Sequence, residues 1–268
     1  MENAVKFRKK LMQGPVCIGT CITLSDPAVT EALCNTVDFV WIDTEHNPLP
    51  LDKVQGHIMA TKGTDTAPLV RVAWNDPVLI KPVLDMGAAG VIVPLVRTAE
   101  DVHRAVAACK YPPDGVRGYG PRRPSNYGRT GGPDYIRAAN AAILPIVQIE
   151  HVDAVNHIEE ILAVPGLATV VIGPNDLAGS LGHMGEPWHA DVLRAIDTVL
   201  TAGKKAGIPV GLGGGGEPEI FIDWANKGVR WLSIGADFWL LLRAMTQLNS
   251  RIREQVSGGP HGQGSGRK

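Results

Sequence analysis

The sequence predicts an α/β fold in which eight parallel strands close into a barrel, and three observations lead to this prediction. Eight short runs of apolar, mostly β-branched residues recur along the chain. Longer segments with helical periodicity separate these runs, so the chain repeats a strand-then-helix unit. The chain has 268 residues, which fits a (β/α)₈ TIM barrel of about 250 residues.

The predicted strands are almost continuously apolar, as expected for parallel strands that helices cover on the outer face. No G-x-G-x-x-G motif opens a helix after the first run, and this disfavours an open, doubly wound sheet that binds a dinucleotide. The strands are predicted at residues 16–20, 39–43, 69–72, 90–94, 144–149, 169–172, 208–211 and 231–234.

Helix starts and ends can be recognised between several of these strands. Asp76 before Pro77 forms a capped start, and Gly87 forms the end of the same helix. Pro82 lies inside this helix and is expected to bend or split it. A short polar helix is predicted at the start of the chain and an apolar final helix over 238–248, the latter as core or subunit interface. The other helices are predicted at 27–35, 99–109, 151–163, 190–206 and 218–227.

The composition disfavours several classes of protein. Lys and Arg total 26 against 27 Asp and Glu, so the net charge of −1 gives no sign of a nucleic-acid or anionic-membrane partner. No apolar run reaches the roughly 18 residues of a membrane span, and no signal-peptide pattern is present, so a cytoplasmic protein is expected. We predict one catalytic barrel domain over residues 1–256 and a disordered tail over 257–268.

Polar residues at the ends of apolar strands mark the candidate site, because active sites of such barrels lie at the C-terminal ends of the strands. These residues come from strands two, three, five and six. They are Asp43, Glu45, His46, Arg71, Gln148, Glu150 and Asp176, while Asp85 lies in the helix after strand three.

Glu150 and Asp176 lie about one βα unit apart, so their carboxylates should project from adjacent strands into one mouth. Two such carboxylates repel each other unless a cation neutralises them. A hard divalent ion, Mg²⁺ or Mn²⁺, suits this pair and keeps coordination positions for water and substrate. The alternative is that Asp176 caps a short helix that starts at Leu177.

His46 and Arg71 are the candidate base and cation. Asp43 and Glu45 lie close to His46 in the sequence and would orient its ring and raise its basicity, whereas the alternative is a solvated loop histidine. Arg71 lies in an apolar strand, where an unpaired charge is very costly, so its guanidinium needs an anionic partner. In a purely structural role that partner is Asp43 or Glu45.

Two further patterns bear on the chemistry. The run GLGGGG over 211–216 follows strand seven, where barrels often bind phosphate, but it lacks a nucleotide-loop ending, so a flexible turn is favoured. None of the eight predicted strands contains a lysine, which disfavours imine chemistry inside the barrel mouth.

Five segments in order along the chain are informative as motifs: WIDTEHNP, RVAWNDPVLIKPVLDMGAAGVIVPLV, YPPDGVRGYG, VQIE and VIGPNDLA. Together they resemble the HpcH/HpaI family of metal-dependent pyruvate aldolases, which includes 4-hydroxy-2-oxoheptanedioate aldolase and the 2-keto-3-deoxy-sugar-acid aldolases. The likeness runs from about Gly14 to Leu248.

The resemblance implies roles for individual residues. His46 would be the catalytic base, Arg71 the group that stabilises the transition state, and Asp85 a carboxylate that raises the basicity of His46 across a subunit interface. Asp43 beside them is the fourth catalytic candidate. The implied metal ligands are Glu150 and Asp176, for Mg²⁺ or Mn²⁺, with Co²⁺ and Zn²⁺ as further options. Substrate contacts are implied for Gln148, Pro174, Asn175, Asp176 and Leu212, with Asn175 standing where members commonly have a small residue.

The activity implied is reversible aldol cleavage of a 4-hydroxy-2-oxoacid to pyruvate, or hydroxypyruvate, and an aldehyde. The implied assembly is a hexamer of paired trimers that exchange a terminal helix, with small oxoacids and aldehydes as the only other partners. An alternative is a related carbon–carbon lyase, either an oxaloacetate decarboxylase or a citrate-lyase-like enzyme. A non-catalytic binding barrel would lack at least one of His46, Arg71, Glu150 and Asp176, and all four are present.

Overall fold

A computed structural model describes residues 2–257, and its eight strands form a closed barrel in which β1 pairs with β8. Every pairing is parallel, so the carboxyl ends of all strands lie at one end of the barrel, which we call the mouth. The strands are β1 Cys17–Ile22, β2 Phe39–Asp43, β3 Ala67–Arg71, β4 Gly90–Val93, β5 Leu144–Ile149, β6 Thr169–Ile172, β7 Val210–Gly214 and β8 Trp231–Ala236.

The helices cover the barrel on the outside and extend it at both ends of the described chain. They are α1 Glu2–Gln13, α2 Ala28–Leu33, α3 Leu51–Ala60, α4 Pro77–Met86, α5 Ala99–Cys109, α6 Gly132–Ala142, α7 Val152–Asn156, α8 Ile158–Leu162, α9 Pro174–Ser180, α10 Ala190–Ala206, α11 Pro218–Asn226 and α12 Asp237–Ser257. None of these helices is long and apolar enough to cross a membrane.

The predicted (β/α)₈ barrel is confirmed, and the differences in its strands concentrate at the mouth. β7 runs to Gly214 and β8 to Ala236, a few residues beyond their predicted ends. Gly213 pairs with Ser233, and Gly214 pairs with Ile234. The first part of the glycine run is therefore strand, and the expectation of a flexible turn is wrong for these two residues.

Three predicted helix features differ from the structure. The helix expected over 151–163 is two short helices, α7 and α8, which meet at His157. Pro82 does not split α4, which runs unbroken from Pro77 to Met86 and is capped at both ends. The Asp76 side chain accepts a hydrogen bond from the backbone N–H of Val78 at its start, and left-handed Gly87 (φ 103°) ends it. Helices α3 and α6 were not predicted, and α9 was considered only as a short helix that starts at Leu177.

Two apolar layers lie on either side of the strands. Inside the barrel, the rings of Phe39 and Trp231 meet edge to face at 5.3 Å, and Phe7 of α1 packs on Phe39 at the end opposite the mouth. Outside it, aliphatic residues of strands and helices form the larger cluster. Burying one such large side chain contributes about 1.5–3 kcal/mol to folding, so these layers fix the barrel that carries the mouth.

The C-terminal helix is longer than its predicted apolar segment. α12 continues to Ser257. Of the tail predicted over 257–268, residues 258–268 lie outside the described residues.

Candidate active site

A cavity of about 330 Å³ opens at the mouth of the barrel. β2, β3, β5 and the connection from β6 into α9 bring residues that are far apart in sequence to its wall. Six of the predicted site residues line it: His46, Arg71, Gln148, Pro174, Asn175 and Asp176.

Two carboxylates hold the Arg71 guanidinium in place. Its Nε donates a hydrogen bond to Asp43 Oδ1 at 2.7 Å, and its Nη1 lies 2.9 Å from Glu45 Oε2. The guanidinium carbon also lies 5.2 Å from the centre of the Trp41 ring. The structural pairing stated as the alternative is therefore present with both acids, and the side chain still lines the cavity.

These contacts determine the charges of the pair. Burial acts to raise the pKa of Asp43, but the hydrogen bond and charge of Arg71 outweigh it and bring the pKa below its usual value. Burial acts to lower the pKa of Arg71, and the two acids outweigh it in turn, so that this pKa is raised. Both groups are therefore charged at neutral pH, and the positive charge is held at the cavity wall.

The His46 ring lies at the exposed rim of the cavity. Its side chain is 64% exposed, and its Nε2 lies 3.8 Å from Glu45 Oε2. Asp43 does not supply the second carboxylate expected beside the ring. Its oxygens accept hydrogen bonds from Arg71, from the backbone N–H of Glu45 at 3.1 Å and from Asn47 Nδ2 at 2.5 Å. Asp43 therefore positions Arg71 and the loop after β2, and Glu45 is the carboxylate near the ring.

Glu150 is a deeply buried carboxylate directly after β5, with 2% of its surface exposed. Its Oε1 accepts a hydrogen bond from the backbone N–H of Leu95 at 2.6 Å, and its Oε2 accepts one from Gln148 Nε2. Burial raises the pKa of Glu150 to about 7; the Leu95 hydrogen bond opposes this, and the nearby charges of Glu45 and Asp176 raise the pKa further. A cation placed among these acids would offset the cost of their charges.

The connection from β6 into α9 carries Asp176 to the cavity. Because α9 begins at Pro174, Asp176 lies in the first turn of the helix and does not cap a helix that starts at Leu177. Gly173 permits this approach, since an added Cβ would lie 2.8 Å from Gln148 Nε2 and 3.1 Å from Glu150 Oε2. The capping alternative for Asp176 is therefore wrong.

Four of the predicted site residues do not line the cavity: Asp43 and Glu150 lie behind its wall, where they contact Arg71 and Gln148, and Asp85 and Leu212 have no such contact with it. Asp85 lies in the last turn of α4, at the end of the barrel opposite the mouth, where it accepts a hydrogen bond from Arg117 Nη2 at 2.7 Å. The Leu212 side chain is fully buried in the outer apolar layer, and Gly213 is the next residue that lines the cavity. Asp85 could act only on a neighbouring subunit, and Leu212 only through its backbone.

Two contributors were missed as site residues. Trp41 had a sequence signal, since it lies two residues before Asp43 and so points to the same, inner face of β2. Leu95 had none. Its φ of 56° is unusual for a branched residue, and its backbone N–H holds Glu150.

A second group of metal-type ligands lies outside this cavity, at the start of α10. His183 Nε2 lies 2.8 Å from Asp191 Oδ2, and the ligand atoms of His183, His189 and Asp191 all lie within 4.8 Å of one another. His189 Nδ1 accepts the backbone N–H of Asp191 at 3.2 Å and caps the helix. These hydrogen bonds account for the cluster as the cap of α10.

Known proteins resemble this chain over almost its whole length. Two curated relatives are each 36% identical to it. The 5-keto-4-deoxy-D-glucarate aldolase of Klebsiella pneumoniae matches over 95% of this chain and 100% of its own length. The 2-dehydro-3,6-dideoxy-6-sulfogluconate aldolase of Pseudomonas putida matches over 86% of this chain and 90% of its own.

A solved structure gives the same result for the fold. The HpcH/HpaI aldolase/citrate lyase family protein of Burkholderia cenocepacia is 34% identical, superposes with a TM-score of 0.88, and covers 93% of this chain and 99% of that one. The family described as HpcH/HpaI aldolase/citrate lyase matches residues 20–236, which contain every site residue discussed above. The chain belongs to the HpcH/HpaI aldolase/citrate lyase family.

Proposed function

We propose that this protein is a metal-dependent class II aldolase that cleaves a 4-hydroxy-2-oxoacid reversibly to pyruvate, or hydroxypyruvate, and an aldehyde. One observation carries the proposal: a fixed guanidinium, an exposed imidazole and the Asp176 carboxylate line a single cavity of the barrel mouth, and the buried carboxylate of Glu150 is hydrogen-bonded to Gln148 of the same wall. The two curated relatives are both aldolases of keto sugar acids by name, which supports the same reaction class.

The residues present fit a hard divalent cation such as Mg²⁺ or Mn²⁺. Glu150 and Asp176 offer carboxylate oxygens, which such cations prefer, and the raised pKa of Glu150 reflects burial first and the neighbouring acids Glu45 and Asp176 second. Gln148 Oε1 is buried and has no hydrogen-bond partner among the described residues, so it is available to a ligand. A bound divalent cation would act as a Lewis acid that polarises the 2-oxo group of the substrate.

Arg71 supplies a fixed positive charge on the cavity wall. In the cleavage direction the C3–C4 bond breaks, its electron pair passes to C3, and negative charge develops on the 2-oxo oxygen of the resulting enolate. The guanidinium is already oriented by Asp43 and Glu45, so no reorganisation is needed as this charge forms.

His46 is placed to move the protons of the reaction. Its exposed ring would accept the proton of the C4 hydroxyl as C4 becomes the aldehyde carbonyl, and would then return a proton to C3 to give pyruvate. Glu45, 3.8 Å from Nε2, would stabilise the imidazolium formed between the two steps.

We also propose that the working unit is a homo-oligomer, a hexamer of paired trimers as the family resemblance implies. α12 supports this, because large apolar side chains along it are each more than half exposed in the single chain. In such an assembly Asp85 of one subunit would approach His46 of the next. The apolar side chains beyond the first turn are Leu241, Leu242, Met245, Leu248, Ile252 and Val256.

The proposal is tested by supplying a panel of 4-hydroxy-2-oxoacids with Mg²⁺, Mn²⁺, Co²⁺ or Zn²⁺ and following pyruvate by NMR. We expect pyruvate and one aldehyde in equal amounts, and loss of product after exhaustive chelation. Oxaloacetate decarboxylation, measured in parallel, distinguishes the related lyase. If oxaloacetate were turned over at least as well as every member of the panel, the aldolase proposal would be rejected.

A further inference from the structure

The side of the cavity formed by β7, β8 and the start of α12 differs from the side that holds the acids. We call it the arm. Backbone and aromatic rings make up most of its wall, with a single hydroxyl group. The residues that define it are Trp41, Gly213, Gly214, Gly215, Ser233, Phe238 and Trp239.

The glycines of the arm are not required by the backbone or by close packing. Gly211, on the same strand, is required, because an added Cβ would lie 2.2 Å from the Trp231 ring. At Gly213 a Cβ would make ordinary contacts, 3.5 Å from Trp41 Cζ3 and 3.7 Å from Ser233 Cβ. At Gly214 and Gly215 a Cβ would meet nothing within 4 Å. None of these three has the left-handed φ that favours glycine, so the consequence of glycine here is open space.

The arm is held in place by the start of α12. Asp237 accepts hydrogen bonds from the backbone N–H groups of Thr23 and Leu24, at 2.9 and 3.0 Å, and from the Thr23 hydroxyl at 2.6 Å. These contacts join the end of β1 to the first turn of α12. The neighbouring Phe238 and Trp239 are therefore fixed parts of the cavity wall, whatever the rest of α12 contacts.

The arm has no charge of its own among the residues that define it. The nearest basic residue of α12, Arg243, lies 5.3 Å from the centre of the Trp239 ring and forms an ion pair with Glu217, so its charge is already matched. An anionic group buried in the arm would lose its hydration without gaining a free cation, and this is costly. An aromatic group would instead gain contact with the rings of Trp41, Phe238 and Trp239.

We propose that the arm binds the aldehyde part of the substrate and selects an uncharged, aromatic aldehyde. This inference rests on the proposed aldolase function, in which the oxoacid part lies against Arg71, Gln148 and Asp176 on the other side of the cavity. It separates this chain from the two curated relatives, whose names specify a glucarate and a sulfogluconate, compounds with an anionic group at the far end.

Binding to the metal-loaded enzyme tests the arm independently of turnover. The probes are 3-phenylpropanol and 4-hydroxybutyrate, which carry a phenyl group and a carboxylate on the same three-carbon chain. Tryptophan fluorescence and calorimetry should give at least tenfold tighter binding of 3-phenylpropanol. Gly213→Leu, whose side chain would grow between Trp41 and Ser233, should weaken this binding at least tenfold, and Gly213→Ala should weaken it less. Thr198→Leu, on the exposed face of α10, adds a leucine outside the cavity and should change nothing.

Aldol addition of pyruvate to 3-phenylpropanal and to succinate semialdehyde then measures the same preference in kcat/KM. Equal binding of the two probes, or unchanged 3-phenylpropanol binding in both Gly213 variants, would overturn the arm proposal. Exchange of the C3 protons of pyruvate with D₂O, measured without any aldehyde, tests the proposed aldolase function separately. If no exchange occurred, the aldolase chemistry would be rejected. The binding of the two probes would still show whether the arm prefers an aromatic group.

Discussion

The two sides of the cavity are built in different ways. On the acidic side, formed by β2, β3, β5 and α9, Arg71 is held by two carboxylates and Glu150 by two hydrogen bonds. In the arm, glycine backbone and rings bound an open space. Under the proposed function, geometry is fixed on the side where charge would develop, and space is left on the side where the aldehyde part would bind.

The largest effect is expected from Arg71→Ala. Loss of a preorganised charge at a developing oxyanion costs about 3 kcal/mol, so kcat should fall about 100-fold or more, by the same factor for every aldehyde. The variant leaves Asp43 buried without its partner, so its folding is checked by circular dichroism, and Arg71→Lys provides a variant that keeps the charge. Near-native kcat in the folded, metal-loaded Arg71→Ala variant, or a loss for one aldehyde only, would contradict this assignment.

An effect of intermediate size is expected on the stability of the metal-free protein when the pH is varied in the presence of a chelator. Glu150 has a folded pKa of about 7 against an ordinary value of 4.5, so between these values the folded chain keeps a proton that the unfolded chain releases. The free energy of unfolding should therefore fall as pH rises through this window, by up to about 1.4 kcal/mol per pH unit. Urea titrations at several pH values measure the slope. In Glu150→Gln this part of the pH dependence should be absent. If the free energy of unfolding depended on pH identically in the two proteins, the raised pKa of Glu150 would be contradicted.

The smallest effect tests the arm. At Gly215 and at Gly207 an added Cβ meets nothing within 4 Å, but Gly207 has a φ of 69° and Gly215 has no left-handed φ. Gly215→Ala should raise the free energy of unfolding by about 0.4–1 kcal/mol, because it restricts the unfolded chain. Gly207→Ala should lower it by about 1 kcal/mol, because alanine is strained in the left-handed region. If both variants were destabilised equally in thermal unfolding, a backbone requirement would explain Gly215 after all.

The barrel itself could be predicted because buried parallel strands have continuous apolar sequences. The helices were more difficult to predict from the sequence. α3 contains Gly56, which disfavours a helix locally, yet an added Cβ there would lie 2.6 Å from the Pro27 ring, so the glycine serves the packing of two elements distant in sequence. Packing between elements that are distant in sequence cannot be recognised from a local sequence pattern. α6 begins with Gly132, which has a φ of 72°, and Pro133, and because such residues are typical of turns its start was not recognised.

The candidate site was predictable where side chains end strands, as at Asp43, Arg71 and Glu150. The contacts of these side chains were predictable in part. Arg71 pairs with both acids named for it. Of the two acids expected beside His46, only Glu45 lies near the ring, because Asp43 is hydrogen-bonded to Arg71 and Asn47. The support of Glu150 by a backbone N–H has no sequence signature at all.

A titration of Mn²⁺ followed by electron paramagnetic resonance tests the central claim most directly, which is that Glu150 and Asp176 bind the divalent cation at the mouth. We predict one tight ion per chain in the native protein, loss of that site in Glu150→Gln, and retention in His183→Ala, which removes a ligand from the other metal-type cluster. Tight binding that survived Glu150→Gln and disappeared in His183→Ala would place the cation at the start of α10 and contradict the account.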